Sequence, residues 1–281
     1  MDDPVAAAFA AFATFAARVD ALGGDSPQVV ARQHYRLSAV TCDQPLLIVP
    51  LTGTKTIHDL PGAVSTPAGN FLVVHRAVSL DMENMPEAPL PYRAWFLSFP
   101  WPLVQLARQF LQQQPSDSFP VPQQRTVSTD KLPPLLPALL AVLDARVRDN
   151  TEQDYTKLGL LLALARSGHG DFLRAEEPGL APRIRLMVTA DPGRDWASVD
   201  FETAFNISAA TLRRRLTAEN CGLRDVLREA RLHHALALLQ TRNLPLKTVA
   251  LRSGYRSLAS FRQNFTERFG IAPGEVGAHP P

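Results

Sequence analysis

Only two cysteines, Cys42 and Cys221, occur in 281 residues. They are too few for a disulfide framework, and a reducing cytoplasm is the economical compartment. No apolar run reaches the roughly 20 residues that a bilayer-crossing helix needs. The nearest approach, residues 6–17, follows Asp2 and Asp3, where a secretory leader would carry basic residues. Its Phe9, Phe12, Phe15 and Val19 recur every three to four residues and predict an amphipathic helix docking on the body or on a second subunit. A nucleophile elbow, a phosphate-binding glycine loop and a metal-ligand cluster are all missing, and the acids and histidines of the first half do not pair at catalytic spacings. No enzymatic activity, cofactor, metal or membrane partner is therefore expected. An excess of charge is missing too: 29 Lys+Arg stand against 27 Asp+Glu, a net of +2.

That near-neutral total conceals a division. Residues 180–281 hold 15 Lys+Arg against 9 Asp+Glu, net +6, whereas residues 1–179 hold 14 against 18, net −4. The chain is long enough for two domains, and a basic one behind an acidic one is the charge pattern of a nucleic-acid reader joined to a partner of another kind.

In the basic region the same pattern occurs twice, forty-nine positions apart. The first copy runs Ala204-Phe205-Asn206-Ile207-Ser208, then Leu212-Arg213 and Leu216; the second runs Arg252-Ser253-Gly254-Tyr255-Arg256-Ser257, then Phe261-Arg262 and Phe265. Asn206 and Gly254 tolerate the left-handed conformation that ends a helix. Ser208 and Ser257 are N-cap types that begin the next one. The pairs Leu212/Leu216 and Phe261/Phe265, four apart, form a buried ridge on each second helix. At about 100° per residue the opposite faces are Ala210, Arg213, Arg214 and Thr217, then Ala259, Arg262, Gln263 and Thr266. A small residue near the helix start admits the backbone to a DNA groove, Arg reads guanine and Gln reads adenine by paired hydrogen bonds. Two helix-turn-helix units reading double-stranded DNA are expected, with Ser208, Lys247, Arg256, Ser257 and Arg268 as phosphate contacts that position without specifying sequence. Between them, residues 223–240 lack Gly and Pro and place Val226, Leu227, Leu232, Leu236 and Leu239 at helical spacing, predicting one rigid rod. His233 and His234 on this rod are neighbours about 100° apart, unsuited to a shared metal, and read as surface or satisfied core histidines.

Before residue 100 the texture is of short apolar runs between turn signals. Residues 46–51, 54–60, 71–80 and 92–99 predict strands of a small β-barrel or jelly roll. Helices are expected over 101–113, 134–147 and 152–167, with a Pro-containing connection at 115–122.

Ser208-x-x-x-Leu212-Arg213-Arg214-Arg215-Leu216, Ala230-Arg231-Leu232-x-x-Ala235-x-x-Leu238-Leu239 and Val249-Ala250-x-x-x-Gly254-Tyr255-x-Ser257-x-x-x-Phe261-x-x-x-Phe265-x-x-x-Phe269-Gly270-x-x-Pro273 together resemble the AraC/XylS family of bacterial transcription regulators, over Trp196 through Val276. Two positions depart from that pattern: Ala197 stands where a Thr or Ser cap is usual, and Val276-Gly277 replaces an aromatic-Arg pair. Leu47-Ile48-Val49-Pro50-Leu51-x-Gly53, Pro67-x-Gly69-x-Phe71-Leu72 and Tyr92-x-Ala94-x-x-Leu97-Ser98-Phe99 are similar to that family's N-terminal domain. The resemblance implies an α+β chain: a cupin-like effector-binding barrel with a helical dimerisation segment, then an all-α domain of two helix-turn-helix units joined by a linker helix. The expected boundaries are 1–29 for an N-terminal extension, 30–175 for the barrel and dimerisation domain, 176–182 for a linker and 183–281 for the DNA-binding domain.

It further implies a small-molecule effector, a homodimer and RNA polymerase as partners. Candidate effector contacts are Lys55, His58, His75, Arg93 and Trp95, with Arg76; since alternate strand residues face opposite ways, about half must point away from any cavity. The metal-cupin His-x-His is absent, because His58 is followed by Asp59-Leu60 and His75 by Arg76-Ala77. Two other readings stand beside a ligand-responsive regulator: a ligand-independent regulator controlled by a protein partner, and a cupin-like enzyme with a DNA tether.

Overall fold

The first region forms short strands and the second capped helices, and two strand segments of the first, Tyr35–Asp43 and Ala77–Met82, group with the helices. The computed structural model describes residues 3–23, 26–59, 62–112, 124–127, 131–145 and 150–277; the connection expected at 115–122 and the helix end expected at Val147 lie outside these. In chain order the elements are α1 (Pro4–Leu22), β1 (Gln28–Ala31), β2 (Tyr35–Cys42), β3 (Leu46–Thr52), β4 (Thr54–Asp59), β5 (Gly62–Pro67), β6 (Phe71–Val74), β7 (Val78–Met85), β8 (Tyr92–Ser98), α2 (Trp101–Leu111), β9 (Gln124–Val127), α3 (Leu132–Ala145), α4 (Asn150–Leu164), α5 (Leu180–Ala190), α6 (Ser198–Phe205), α7 (Ala209–Ala218), α8 (Leu223–Thr241), α9 (Leu246–Arg252) and α10 (Leu258–Phe269). They form two compact units. The first comprises Met1–His34, Gln44–Arg76 and Glu83–Glu177; the second comprises Tyr35–Asp43, Ala77–Met82 and Pro178–Pro281.

The strands make two sheets, ordered β1-β8-β3-β6-β9 and β2-β7-β4-β5, a cupin-like arrangement. The pairs β3–β6 and β3–β8 are antiparallel, with Ile48 opposite both Leu72 and Phe96. The apolar stretch expected as one strand over 71–80 is broken at 75–77: β6 is buried along its whole length in one sheet, and β7 alternates in the other. A strand that switches sheets turns a corner of a barrel. The strands β1, β2, β5 and β9 escaped the sequence reading. All four lie at sheet edges, and β5, with a largely exposed side-chain row, shows no apolar alternation.

In the first unit Leu47, Val49, Leu51, Phe71, Val73, Trp95 and Leu97 share a core with Ala11, Phe15 and Val19 of α1 and with Leu135, Leu139, Leu143, Leu160, Leu161 and Leu164 of α3 and α4. Helix α1 is long and apolar enough to be compared with a membrane span, at 19 residues and mean hydropathy 1.6. Its Ala8, Ala11, Phe15 and Val19 are nevertheless buried in the fold, with Phe15 edge-on to Trp95 at 5.3 Å. The expected apolar stripe is shifted: Phe9 is 67% exposed, because it lies well round the helix from Phe15 and Val19 at 3.6 residues per turn.

In the second unit, α5 was not anticipated by pattern. Its Leu180, Ala181, Ile184 and Val188 pack with Phe201, Leu212, Leu216, Val226 and Ala230. Cys42 and Cys221, read as belonging to separate domains, both fall in this unit, and neither is in a disulfide. The Val276-Gly277 departure also has a structural reason. Val276 is buried, and Gly277 adopts φ +94° where a Cβ would meet the Leu239 carbonyl oxygen at 1.9 Å, so the chain closes on the rod helix through a contact only glycine permits.

Candidate nucleic-acid interface

Each half of the doubled pattern forms the same turn. Helix α6 ends at Asn206 with φ 51°, and the Ile207 N–H donates back to the Glu202 carbonyl at 3.0 Å. Helix α9 ends through Gly254 at φ +78°, and the Tyr255 N–H donates to the Ala250 carbonyl at 2.9 Å. Both are left-handed closures spanning five residues, which drop an apolar side chain into the turn. Glycine is required at the second, since a Cβ there would stand 2.4 Å from the Pro192 carbonyl oxygen. The hydroxyls of Ser208 and Ser257 accept from Thr211 N and Ser260 N, each at 3.3 Å, and so cap α7 and α10. Ala197, lacking a capping oxygen, donates its own N–H to Asp200 Oδ2 at 2.8 Å, which anchors the start of α6 from the other partner of a capping box.

The ridges Leu212/Leu216 and Phe261/Phe265 are buried. Ala210, Arg213, Arg214 and Thr217 on α7, and Ala259, Arg262, Gln263 and Thr266 on α10, are all presented at the surface. Two helix faces of matching composition thus face solvent in one unit, each in the second helix of a helix-turn-helix. The phosphate candidates Ser208, Lys247, Arg256 and Ser257 are accessible as well.

Arg268 is placed differently. Its Nε donates to both carboxylate oxygens of Glu229, at 2.8 and 2.7 Å, while its terminal nitrogens donate to the carbonyls of Ser38 at 3.1 Å and Ala39 at 2.6 Å. The guanidinium lies 5.1 Å over the Phe269 ring. It is a node between α8, α10 and β2 rather than a cation turned to solvent. Burial alone would raise the Glu229 carboxyl, but the bond from the Arg268 guanidinium outweighs it and holds that group below its ordinary range. His233 completes the node. Thr41 N–H donates to its Nε2 at 2.8 Å, its Nδ1 stands 3.0 Å from the Glu229 carbonyl, and its ring meets Phe269 edge-on at 5.3 Å. An acceptor Nε2 means a neutral ring, consistent with burial lowering its pKa against the pull of Glu229. It is the satisfied core histidine that the sequence allowed.

A second long-range contact fixes the first head. Glu219, just past α7, accepts from Leu180 N at 2.6 Å and Ala181 N at 2.9 Å, capping α5 from a distance of some forty residues in sequence. The rod α8 is pinned by Arg231, which donates to the carbonyls of Pro192 and Arg194 at 3.1 Å each. No local pattern marks Glu219 or Arg231 for these roles.

The five effector candidates do not converge. Lys55 is buried and donates to Asn84 at 2.8 Å. His58 faces the opposite side of β4, three residues on, with Glu83 at 2.6 Å, and Glu83 also holds His34. Burial raises the Glu83 carboxyl, yet the two histidines outweigh that and keep it low. His75 is fully buried beside Asp171, 3.8 Å away, in the first unit. Arg93 is engaged by Asp20 of α1 and by Gln28 at 2.7 Å, and Trp95 lies in the core under α1. Arg93 and Trp95 thus occupy the helix-covered face of their sheet, and Arg76 is exposed.

A family model described as a helix-turn-helix domain matches residues 202–278. Among curated proteins, the HTH-type transcriptional regulator VqsM of Pseudomonas aeruginosa is 32% identical over 104 residues, 37% of this chain and 32% of that protein. The HTH-type transcriptional activator CfaD of Escherichia coli is 28% identical over 91 residues, 32% of this chain and 34% of that protein. The chain therefore spans about a third of the length of these curated relatives. Among solved structures, an apo form of ToxT from Vibrio cholerae has a TM-score of 0.58 at 15% identity, covering 88% of this chain and 94% of that one. Unsaturated-fatty-acid-bound wild-type ToxT has a TM-score of 0.57 at 13% identity, covering 90% and 96%. The likeness in fold runs through both the strand-rich and the helical regions.

Proposed function

We propose that the chain is a sequence-specific transcription regulator of AraC type in the cytoplasm that responds to a small-molecule effector, without enzymatic chemistry of its own; the helix-turn-helix match over residues 202–278 supports this reading. The observation that carries the DNA reading is the pair of exposed, matching faces on α7 and α10, each correctly capped and backed by a buried ridge. Two such heads in one unit suit successive major grooves of one DNA face, and the Arg-rich first head favours guanine.

The effector reading has a narrower support. ToxT, of the same fold, has been solved with an unsaturated fatty acid. An effector can shift DNA binding only by its differential affinity for two states of the protein. For homodimerisation the support is Leu106 and Phe110, four apart and exposed on α2, an apolar pair that a second copy would cover. RNA polymerase is a further partner in this reading.

The test is selection of bound sequences from random DNA by the full chain, followed by affinity measurement at fixed salt. Arg213→Ala and Arg262→Ala are each expected to cost about 1–3 kcal/mol and to relax one position of the site. Unchanged affinity and base preference in both would sink the assignment of the reading faces. Titration with aliphatic carboxylic acids should move the affinity of the native chain for DNA, and one chain per bound site would refute the dimer.

A further inference from the structure

Helix α4 carries Gln153 and Lys157 one turn apart, so both side chains lie on one face of the helix. With Val142 of α3, Leu97 and Ser98 at the end of β8, and Pro27 just before β1, they line a cavity of about 160 Å³ within the first unit. Leu97 and Val142 are buried members of the core between sheet and helices, so the cavity lies on the helix-covered side of the sheet. Its strand wall is fixed: the Phe96 N–H donates to the Pro27 carbonyl at 3.3 Å, and Leu97 and Ser98 pair with Leu47 and Leu46 of β3.

Lys157 puts a cation into this lining with only 20% of its side chain exposed. Its ionic partner, Asp154, stands 3.5 Å away and is 55% exposed, a surface pair of small worth. An anion inside the cavity meets Lys157 on better terms, because a charge shielded from water gains more from a partner that is shielded with it. Gln153 and Ser98 add an amide and a hydroxyl, neutral groups able to donate to carboxylate oxygens. Leu97, Val142 and Pro27 supply apolar surface that a bare inorganic anion would leave uncovered.

We propose that this cavity binds a short organic carboxylate, its charged end at Lys157, Gln153 and Ser98 and its hydrocarbon end against Leu97 and Val142. An apolar cavity of about 150 Å³ takes up benzene, so this one suits a molecule of roughly six to nine non-hydrogen atoms. Such a ligand would touch β8, α3 and α4 at once and tie both helices to the strands. Its use as the effector site rests on the reading of the chain as an effector-responsive regulator, whereas the binding itself does not.

The experiment is calorimetric titration of the full chain with hexanoate and with its neutral counterpart hexanamide, run on the native protein, Lys157→Met and Asp154→Asn. Saturable hexanoate binding is expected, with hexanamide weaker by on the order of tenfold. Lys157→Met keeps the apolar stem and should lose the preference for the acid while binding the amide as the native chain does. Asp154→Asn removes the competing carboxylate from an exposed position and should tighten hexanoate by about two- to threefold. Absence of saturable hexanoate binding by the native chain, equal affinity for acid and amide, or a native preference retained in Lys157→Met each overturns the proposal. DNA affinity measured with and without hexanoate separates the two readings: binding that depends on Lys157 but leaves DNA affinity unchanged upholds the site and refutes its use as the effector site.

Discussion

Removing the Arg268 side chain separates two roles that a surface arginine on a DNA-binding helix can have. As a phosphate contact, Arg268→Ala would weaken binding to all sequences alike and lower the slope of log affinity against log salt by about 0.9, leaving stability nearly unchanged. The structure assigns the guanidinium to Glu229 and to the carbonyls of Ser38 and Ala39 instead. Breaking a buried ion pair by deleting one partner costs roughly 3–5 kcal/mol. The two side chains here retain 21% and 19% exposure, so solvent screening brings the expectation to about 2–3 kcal/mol. Urea unfolding of the full chain measures this directly. A double-mutant cycle with Glu229→Gln should return a coupling of about 1–3 kcal/mol, since each single change leaves the other group without its partner. The salt slope for DNA should stay within error of the native value. A loss of stability below about 0.5 kcal/mol, the range of an ordinary surface substitution, together with a slope reduced by a full unit would refute the placement and restore the phosphate role expected from sequence.

Two further outcomes test other regions of the second unit. Glu219→Ala removes the carboxylate that caps α5 at Leu180 N and Ala181 N; loss of two charge-assisted bonds at a helix start should cost about 1–3 kcal/mol in thermal or urea unfolding, and no change would show the cap to be idle. Stability should also fall with acid. His233 and His234 are pushed below their ordinary value of 6.5, both by burial, so the native state keeps them neutral while the unfolded chain takes up protons. Stability is then flat above about pH 7.5 and declines as pH drops through about 6.5 toward the native pKa values. Glu229, held low in the fold, adds a further loss below its ordinary 4.5. Unfolding midpoints at about pH 7.5 and about pH 5.5, on either side of the ordinary histidine range, check the first step, and equal midpoints would contradict it.

What the sequence determined by itself was everything written in short-range geometry. Asn206, Gly254, Ser208 and Ser257 state where helices stop and start, because left-handed closures and N-caps are satisfied within a few residues. The ridges and the faces opposite them follow from a fixed turn per residue, so all eight outward-facing residues of α7 and α10 could be named before any coordinate. The apolar strands β3 and β8 were legible for the same reason, while the edge strands β1, β2, β5 and β9, without a two-sided apolar signature, were not. Tertiary structure alone decided the rest. It took Arg268 away from solvent by bringing Ser38 and Ala39, 230 and 229 residues distant in sequence, within hydrogen-bond reach. It set β2 in the same unit as α7 and α10, made Glu219 a cap for a helix that ends before α6 begins, and turned Arg93 and Trp95 toward α1. Such roles depend on which surfaces meet after the chain has folded, and no periodicity within a dozen residues encodes a partner some two hundred residues away.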